Sequence, residues 1–184
     1  IIKAKDRIGK FCKACPECNG RACKNQMPGP GSKGIGDTAV RNYDKWKEIR
    51  VQMDTIAENK PVDTSLELFG KTFCYPVFAG PVGAVSLHYG DCLDDVAYND
   101  ILVSACAENG IAAFTGDGVD SNVMVAATAA IKKAGGVGIP TVKPWNLETI
   151  REKMELVHES GAFAVAMDID AAGLPFLKNM EPPA

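Results

Sequence analysis

The chain has 184 residues, of which 46% are hydrophobic and 23% are charged, and its formal net charge at pH 7 is -3. This length is enough for about one domain with a sizeable core, and the slightly negative charge argues against non-specific binding to nucleic acid. No long apolar run and no signal-like leader are found in the sequence. We therefore expect a soluble cytoplasmic protein that does not associate with membranes.

Residues 1–64 form a polar lead-in, distinct from the main domain at 65–184. Four of the seven cysteines crowd together near the start in C-x2-C-x2-C-x4-C spacing, and a short helix is predicted within 37–50. Crowded cysteines without a secretory leader favour metal ligands or reduced thiols over a disulfide framework. The predicted metal ligands are Cys12, Cys15, Cys18 and Cys23.

The cysteine spacing favours an iron–sulfur cluster over zinc. Three thiolates separated by two residues each can surround one face of a cluster, and the last cysteine can supply the fourth ligand. Zinc usually takes two more widely separated pairs of ligands. Four plain reduced cysteines remain the alternative interpretation.

From Ser65 onwards the apolar pattern predicts alternating strands and helices. A small hairpin turns at Gly70, and a buried strand at 76–79 runs into a glycine-rich turn. Further strands are predicted at 111–114, 138–142 and 162–167. Helices are predicted between them, with N-caps at Ser121 and Asn146 and a C-terminal stop at Gly161. This spacing is typical of βαβ units in a parallel sheet.

Two helix faces are predicted to face the core. In the helix at about 94–109, this face comprises Val96, Ala97, Ile101, Leu102, Ala105 and Cys106. In the helix that follows Asn146, it comprises Leu147, Ile150, Met154 and Val157.

Polar and glycine residues follow each predicted strand. In parallel sheets, ligands bind at the carboxyl ends of the strands. Because Lys143 and Asp168 follow neighbouring strands, they could also form a buried ion pair. The candidate site residues are Gly80, Pro81, Val82, Gly83, Thr115, Thr141, Lys143 and Asp168.

Several stretches resemble the FMN-dependent 2-hydroxy-acid dehydrogenase and oxidase family, the group of glycolate oxidase and lactate oxidase. They are Asn-Tyr-Asp-Lys-Trp-Lys-Glu-Ile-Arg at 42–50, Tyr-Pro-Val-Phe-Ala-Gly-Pro at 75–81 and Met-Asp-Ile-Asp-Ala-Ala-Gly at 167–173, supported by 61–65, 68–70 and 115–116. The resemblance implies an α/β fold, the TIM (β/α)8 barrel, and an enzyme that uses FMN to oxidise a small 2-hydroxy acid to the 2-oxo acid.

The resemblance also implies roles for the candidate site residues. The loop from Gly80 to Gly83, with Pro81 and Val82, would lie against the flavin ring. Thr115, and Thr141 or Lys143, would supply polar contacts to it, while Asp168 would stand on the substrate side. The sequence departs from the family at Thr141 and Lys143, where a Gln-x-Tyr-like pair is usual.

Only four strands are predicted in residues 65–184, whereas a whole barrel takes about 250 residues. We therefore expect this chain to hold the first four βα units, with the catalytic histidine and arginine beyond Ala184. Neither His88 nor His158 matches the family's catalytic motif. Such a half barrel would form a homo-oligomer or pair with the missing half.

Two other functions fit the same features. One is an FMN barrel similar to type 2 isopentenyl diphosphate isomerase, which the glycine-rich strand ends also resemble. The other is a non-catalytic metal-binding module in which the cysteines carry the function and the half barrel is a scaffold. Bound flavin would favour an FMN barrel, and bound metal without flavin would favour the module.

Overall fold

The computed structural model describes residues 2–7, 12–22 and 37–169. The lead-in contains two helices, α1 (Ile2–Lys5) and α2 (Thr38–Trp46), and no residue of α2 is buried. Residues 12–22 approach the start of α2, since a methyl group added to Gly20 would lie 2.5 Å from the Cβ of Ala39. The helix predicted within 37–50 is present as α2, which is shorter than predicted.

The predicted hairpin is present as β1 (Leu66–Leu68) and β2 (Lys71–Phe73), which pair antiparallel. Gly70 lies in the turn with φ +74°, a conformation that glycine adopts without strain. The ring of Phe73 is buried and contacts Phe78 and Phe163, at centroid distances of 5.0 and 5.6 Å. The hairpin is thereby anchored to the main sheet through aromatic packing.

The main sheet is parallel and contains β3 (Phe114–Thr115), β4 (Ile139–Val142) and β5 (Ala166–Met167), in that order. The segment predicted as the first strand joins it through a single parallel bridge between Ala79 and Ala113. Its regular strand is therefore reduced to one paired residue. The α/β class and the order of the four strand segments are as predicted.

Helices alternate with these strand segments. They are α3 (Val85–Tyr89), α4 (Asp95–Glu108), α5 (Ser121–Lys133) and α6 (Leu147–Ser160). The Asn146 side chain accepts a bond from the N–H of Thr149 at 2.9 Å and caps α6, and Gly161 ends it with φ +69°, as predicted. The predicted cap of α5 was wrong by one residue. Asp120 accepts from the Asn122 N–H, and Ser121 is already helical.

The core lies between the sheet and the helices. One buried cluster joins α4 and α5 to β3, and a second joins α5, β4 and α6. The two predicted helix faces were wrong in part, because Ile101 and Leu147 are more than half exposed. The most buried side chains of α4 are Asn99, Val103 and Cys106, and those of α6 are Lys153, Val157 and Ser160.

Within the described ranges, no helix has both the length and the apolar character needed to cross a membrane.

Exposed apolar side chains at the two edges of the sheet lead us to predict that the 184-residue chain associates with itself. Val77, beside the bridge of Ala79, is 60% exposed, and Met167 in β5 is 53% exposed. Among the described residues, β5 pairs only with β4 and the segment of Ala79 pairs only with Ala113. Unpaired edges and exposed apolar side chains favour pairing with another chain. We expect sedimentation to show dimers or larger species. A single monomeric species at micromolar concentration would contradict this expectation.

Candidate functional site

A pocket of about 320 Å³ lies at the carboxyl ends of the parallel strands. Aromatic and aliphatic residues form much of its wall, and a threonine and an aspartate also line it. Such a mixture is typical of small-molecule sites. The lining residues are Phe78, Gly80, Pro81, Phe114, Thr141, Ala166, Met167 and Asp168.

Four of the candidate residues line this pocket, namely Gly80, Pro81, Thr141 and Asp168. Thr115 does not, and its neighbour Phe114 takes that place. Successive side chains of a strand point to opposite faces, so only one of the two can face the pocket. The same alternation places Thr141 at the pocket and Val142 in the core between α5 and α6.

Val82 and Gly83 do not line the pocket, and they lie against the loop after β3. The carbonyl oxygen of Val82 lies against Gly116, where an added methyl group would be 2.3 Å from it. Gly83 lies similarly against the carbonyl of Asp117, with 3.0 Å to an added methyl group. The absence of side chains at Gly83 and Gly116 therefore allows the loop after the first strand to rest directly on the loop after β3.

Lys143 and Asp168 form the predicted ion pair between neighbouring strands. The Nζ of Lys143 lies 2.9 Å from Oδ2 of Asp168, and the side chains are 20% and 30% exposed. Because Asp168 lines the pocket, the pair places a cation and an anion at its rim.

A second, more deeply buried ion pair was not predicted. The Asp117 side chain is wholly buried, and its Oδ1 lies 2.7 Å from Nζ of Lys153 in α6. Its Oδ2 accepts bonds from the backbone N–H of Lys143 at 3.0 Å and from the indole N–H of Trp145 at 2.6 Å. This carboxylate thus ties the end of β3 to the loop after β4 and to α6.

Two buried hydroxyls at the strand ends lack a hydrogen-bond partner within the described part of the chain, those of Thr115 and Thr141. Their residues are 0% and 4% exposed. A buried polar group without a partner is costly, so such groups commonly mark a place where a ligand or water binds. Of these two residues, Thr141 is the one that lines the pocket.

The cysteine hypothesis stays a prediction. Cys12, Cys15 and Cys18 are free in the structure, and Cys23 lies outside the described residues. In the ranges that the structure describes, no group of three or more His, Cys, Asp or Glu side chains is arranged to hold a metal ion. Burial raises the pKa of Tyr89, and the nearby Cys12 makes a smaller contribution in the same direction.

Of the two histidines, only His158 has a described side chain, and it is exposed near the end of α6. The side chain of His88 lies outside the described residues. Cys106 is buried in the core, and this burial raises the pKa of its thiol.

A comparison with protein families identifies a match over most of the chain. The model of the family described as FMN-dependent dehydrogenase matches residues 30–179, which include the whole pocket and all the parallel strands. No curated protein matches the chain significantly.

Proposed function

Because the chain belongs to the FMN-dependent dehydrogenase family, we propose that its strand-end pocket binds FMN and serves the oxidation of a small 2-hydroxy acid to the 2-oxo acid. The observation that carries the proposal is the pocket itself. It lies where parallel α/β folds bind ligands, and one of its lining residues is Thr141, whose buried hydroxyl has no hydrogen-bond partner among the described residues. The barrel architecture of this family supports the same placement.

The residues of the pocket fit a flavin ring. Phe78, Phe114 and Met167 offer apolar surface to a planar aromatic system, while the Thr141 hydroxyl can bond to a polar edge. Gly80 leaves room above the strand end, since an added methyl group there would meet nothing within 4 Å. The pocket volume is at the lower end of those that hold cofactors.

When bound, FMN supplies the redox chemistry, accepting two electrons from the substrate, and the protein supplies binding and electrostatics. Lys143 places a positive charge at the rim, where it would favour negative charge on a ligand. Its pairing with Asp168 fixes the ammonium group in one position.

Replacing Thr141 with valine tests the pocket. The substitution removes the hydroxyl and keeps the shape, so we expect FMN affinity to fall about tenfold, as for one lost hydrogen bond. Stability should be unchanged or slightly higher, because an unpartnered buried hydroxyl is removed. Titration with FMN, followed by flavin fluorescence, and thermal unfolding measure both effects.

A matched control is Thr128→Val. This threonine is also buried, but its hydroxyl donates to the Met124 carbonyl within α5 and does not line the pocket. Its replacement should leave FMN affinity unchanged. Failure of the wild-type chain to bind FMN, or equal affinity in Thr141→Val, would contradict the proposed site.

The charge at the rim gives a separate prediction. Lys143→Met would remove the positive charge that lies against the Asp168 carboxylate beside the pocket. We expect the midpoint potential of bound FMN to fall by on the order of 30 mV, because added electron density is no longer stabilised. Spectroelectrochemical titration measures the potential. An unchanged value would mean that Lys143 serves only as the structural partner of Asp168.

A further inference from the structure

We propose that Asp117, which does not line the pocket, is a positioning residue that fixes the loop at 143–145 and thereby holds the Lys143 ammonium at the pocket rim. That this rim serves FMN rests on the proposed function, whereas the positioning itself rests on the contacts of Asp117 alone.

All hydrogen-bonding capacity of the Asp117 carboxylate is used. Oδ1 accepts from Lys153 Nζ at 2.7 Å and from the Gly118 N–H at 2.8 Å. Oδ2 accepts from the Lys143 N–H at 3.0 Å and from the Trp145 indole at 2.6 Å. A carboxylate has about four acceptor sites, so the four donors allow a single orientation of the group.

Two of these donors belong to the loop that carries the rim cation. The backbone N–H of Lys143 and the indole N–H of Trp145 both donate to Oδ2. The backbone N–H of Trp145 donates to the Lys143 carbonyl at 2.8 Å and closes the loop. These bonds fix the backbone from which the Lys143 side chain starts. The observed end point is Asp168, at the pocket.

Lys153 makes the buried carboxylate possible. An unpaired charge in the interior would be strongly unfavourable, and the ammonium of Lys153 compensates it at a position that is itself only 7% exposed. The same ammonium lies 5.4 Å from the centre of the Trp145 ring, which holds the indole from a second side. The backbone of Asp117 meanwhile contacts Gly83 of the loop after the first strand.

Asparagine cannot replace aspartate in this position. Its amide carries one oxygen and one NH2 group, so either orientation turns the NH2 group toward two of the four donors. Because an NH2 group placed against the Lys153 ammonium would be repelled, the single oxygen of Asp117→Asn should face Lys153 and Gly118. The substitution therefore keeps the size of the side chain but releases the Lys143–Trp145 side. It also leaves Lys153 as an uncompensated charge.

The experiment measures exchange with solvent of the Trp145 indole proton and the Lys143 amide proton by NMR of the full chain. In the wild type, both should be protected, and the indole of Trp46, which is 74% exposed, serves as the unprotected internal reference. In Asp117→Asn, we expect both protons to exchange at least about tenfold faster, as for a lost bond to a charged acceptor.

Trp145→Phe provides a second test that leaves both charges in place. It removes one of the four donors, and the Lys143 amide should exchange about tenfold faster. FMN affinity should fall several-fold, and the melting temperature should change by only a few degrees. Trp46→Phe, on an exposed helix, is the matched control and should change none of these quantities.

The outcomes separate the two proposals. Unchanged protection of the Lys143 amide in folded Asp117→Asn or Trp145→Phe protein would overturn the positioning role. If protection is lost as expected but the wild-type chain binds no FMN, the positioning role stands and the proposed function fails.

Discussion

Replacing Lys153 with methionine is expected to lower the free energy of unfolding by about 3–5 kcal/mol, the usual cost of breaking a buried ion pair from one side. Methionine fills a similar volume, so the effect comes mainly from the Asp117 carboxylate, which keeps no compensating cation while its side chain remains wholly buried. Urea unfolding followed by circular dichroism measures the change.

Lys133→Met is the matched control. Lys133 forms an ion pair with Asp100 at 3.0 Å, close to the length of the buried pair, but the two side chains are 67% and 53% exposed. Exposed pairs contribute about 0–1 kcal/mol, so this variant should be nearly as stable as the wild type. Equal effects of the two substitutions would show that burial of the Lys153 pair contributes nothing.

A double-mutant cycle separates the pair from its surroundings. Asp117→Ala alone leaves the Lys153 ammonium buried without its anion. Lys153→Met alone leaves the Asp117 carboxylate buried without its cation. In the double variant neither charge remains, so its loss of stability should be smaller than the sum of the two single losses. Additive losses would contradict direct coupling of the two side chains.

Local signals in the sequence were sufficient for much of the fold. Turn and cap residues such as Gly70, Asn146 and Gly161 act through their own backbone or through neighbours a few residues away, and the structure has them in those roles. The predicted strand at 138–142 differs from the observed β4 by only one residue. Its apolar run was easy to recognise because it is buried on both faces. The cap of α5 is Asp120 rather than Ser121. Both side chains can accept a hydrogen bond at an N-cap, so the sequence alone did not distinguish between these adjacent residues.

The helix faces were harder to predict because buried positions are not always apolar. In α6, the stripe that faces the core contains Lys153 and Ser160 besides Val157, so a search for apolar residues alone selected a face that is only partly buried. The signal that could have revealed Lys153 is its spacing of four and seven residues from the other two. Its partner Asp117 lies 36 residues away in sequence, and no local pattern indicates that contact.

The candidate site was predictable at the level of strand ends but not at the level of side-chain direction. The resemblance indicated Thr115, yet the pleat turns Phe114 toward the pocket. β3 has only two residues, so its sequence shows too little alternation to establish which side chain faces the pocket. The Lys143–Asp168 pair was predictable because both residues follow strands that are adjacent in the chain and in the sheet.

Replacing Gly116 with alanine is expected to lower the free energy of unfolding by about 1–3 kcal/mol, as for overpacking of a tight contact. The added methyl group would lie 2.3 Å from the Val82 carbonyl oxygen and 2.7 Å from the nitrogen of Gly83. Both neighbours are backbone atoms, so no side-chain rotation relieves the contact, and the loop after the first strand must move.

That movement would also alter the pocket, because the displaced loop is continuous with Gly80 and Pro81 at the pocket wall. FMN affinity should therefore fall in Gly116→Ala. The matched control is Gly118→Ala in the same loop, where the added methyl group would meet only a Val123 side-chain carbon, at 3.9 Å. Calorimetry and FMN titration of both variants test the contact. If Gly116→Ala were as stable as Gly118→Ala and bound FMN equally well, the close approach of the two strand-end loops would not govern the pocket.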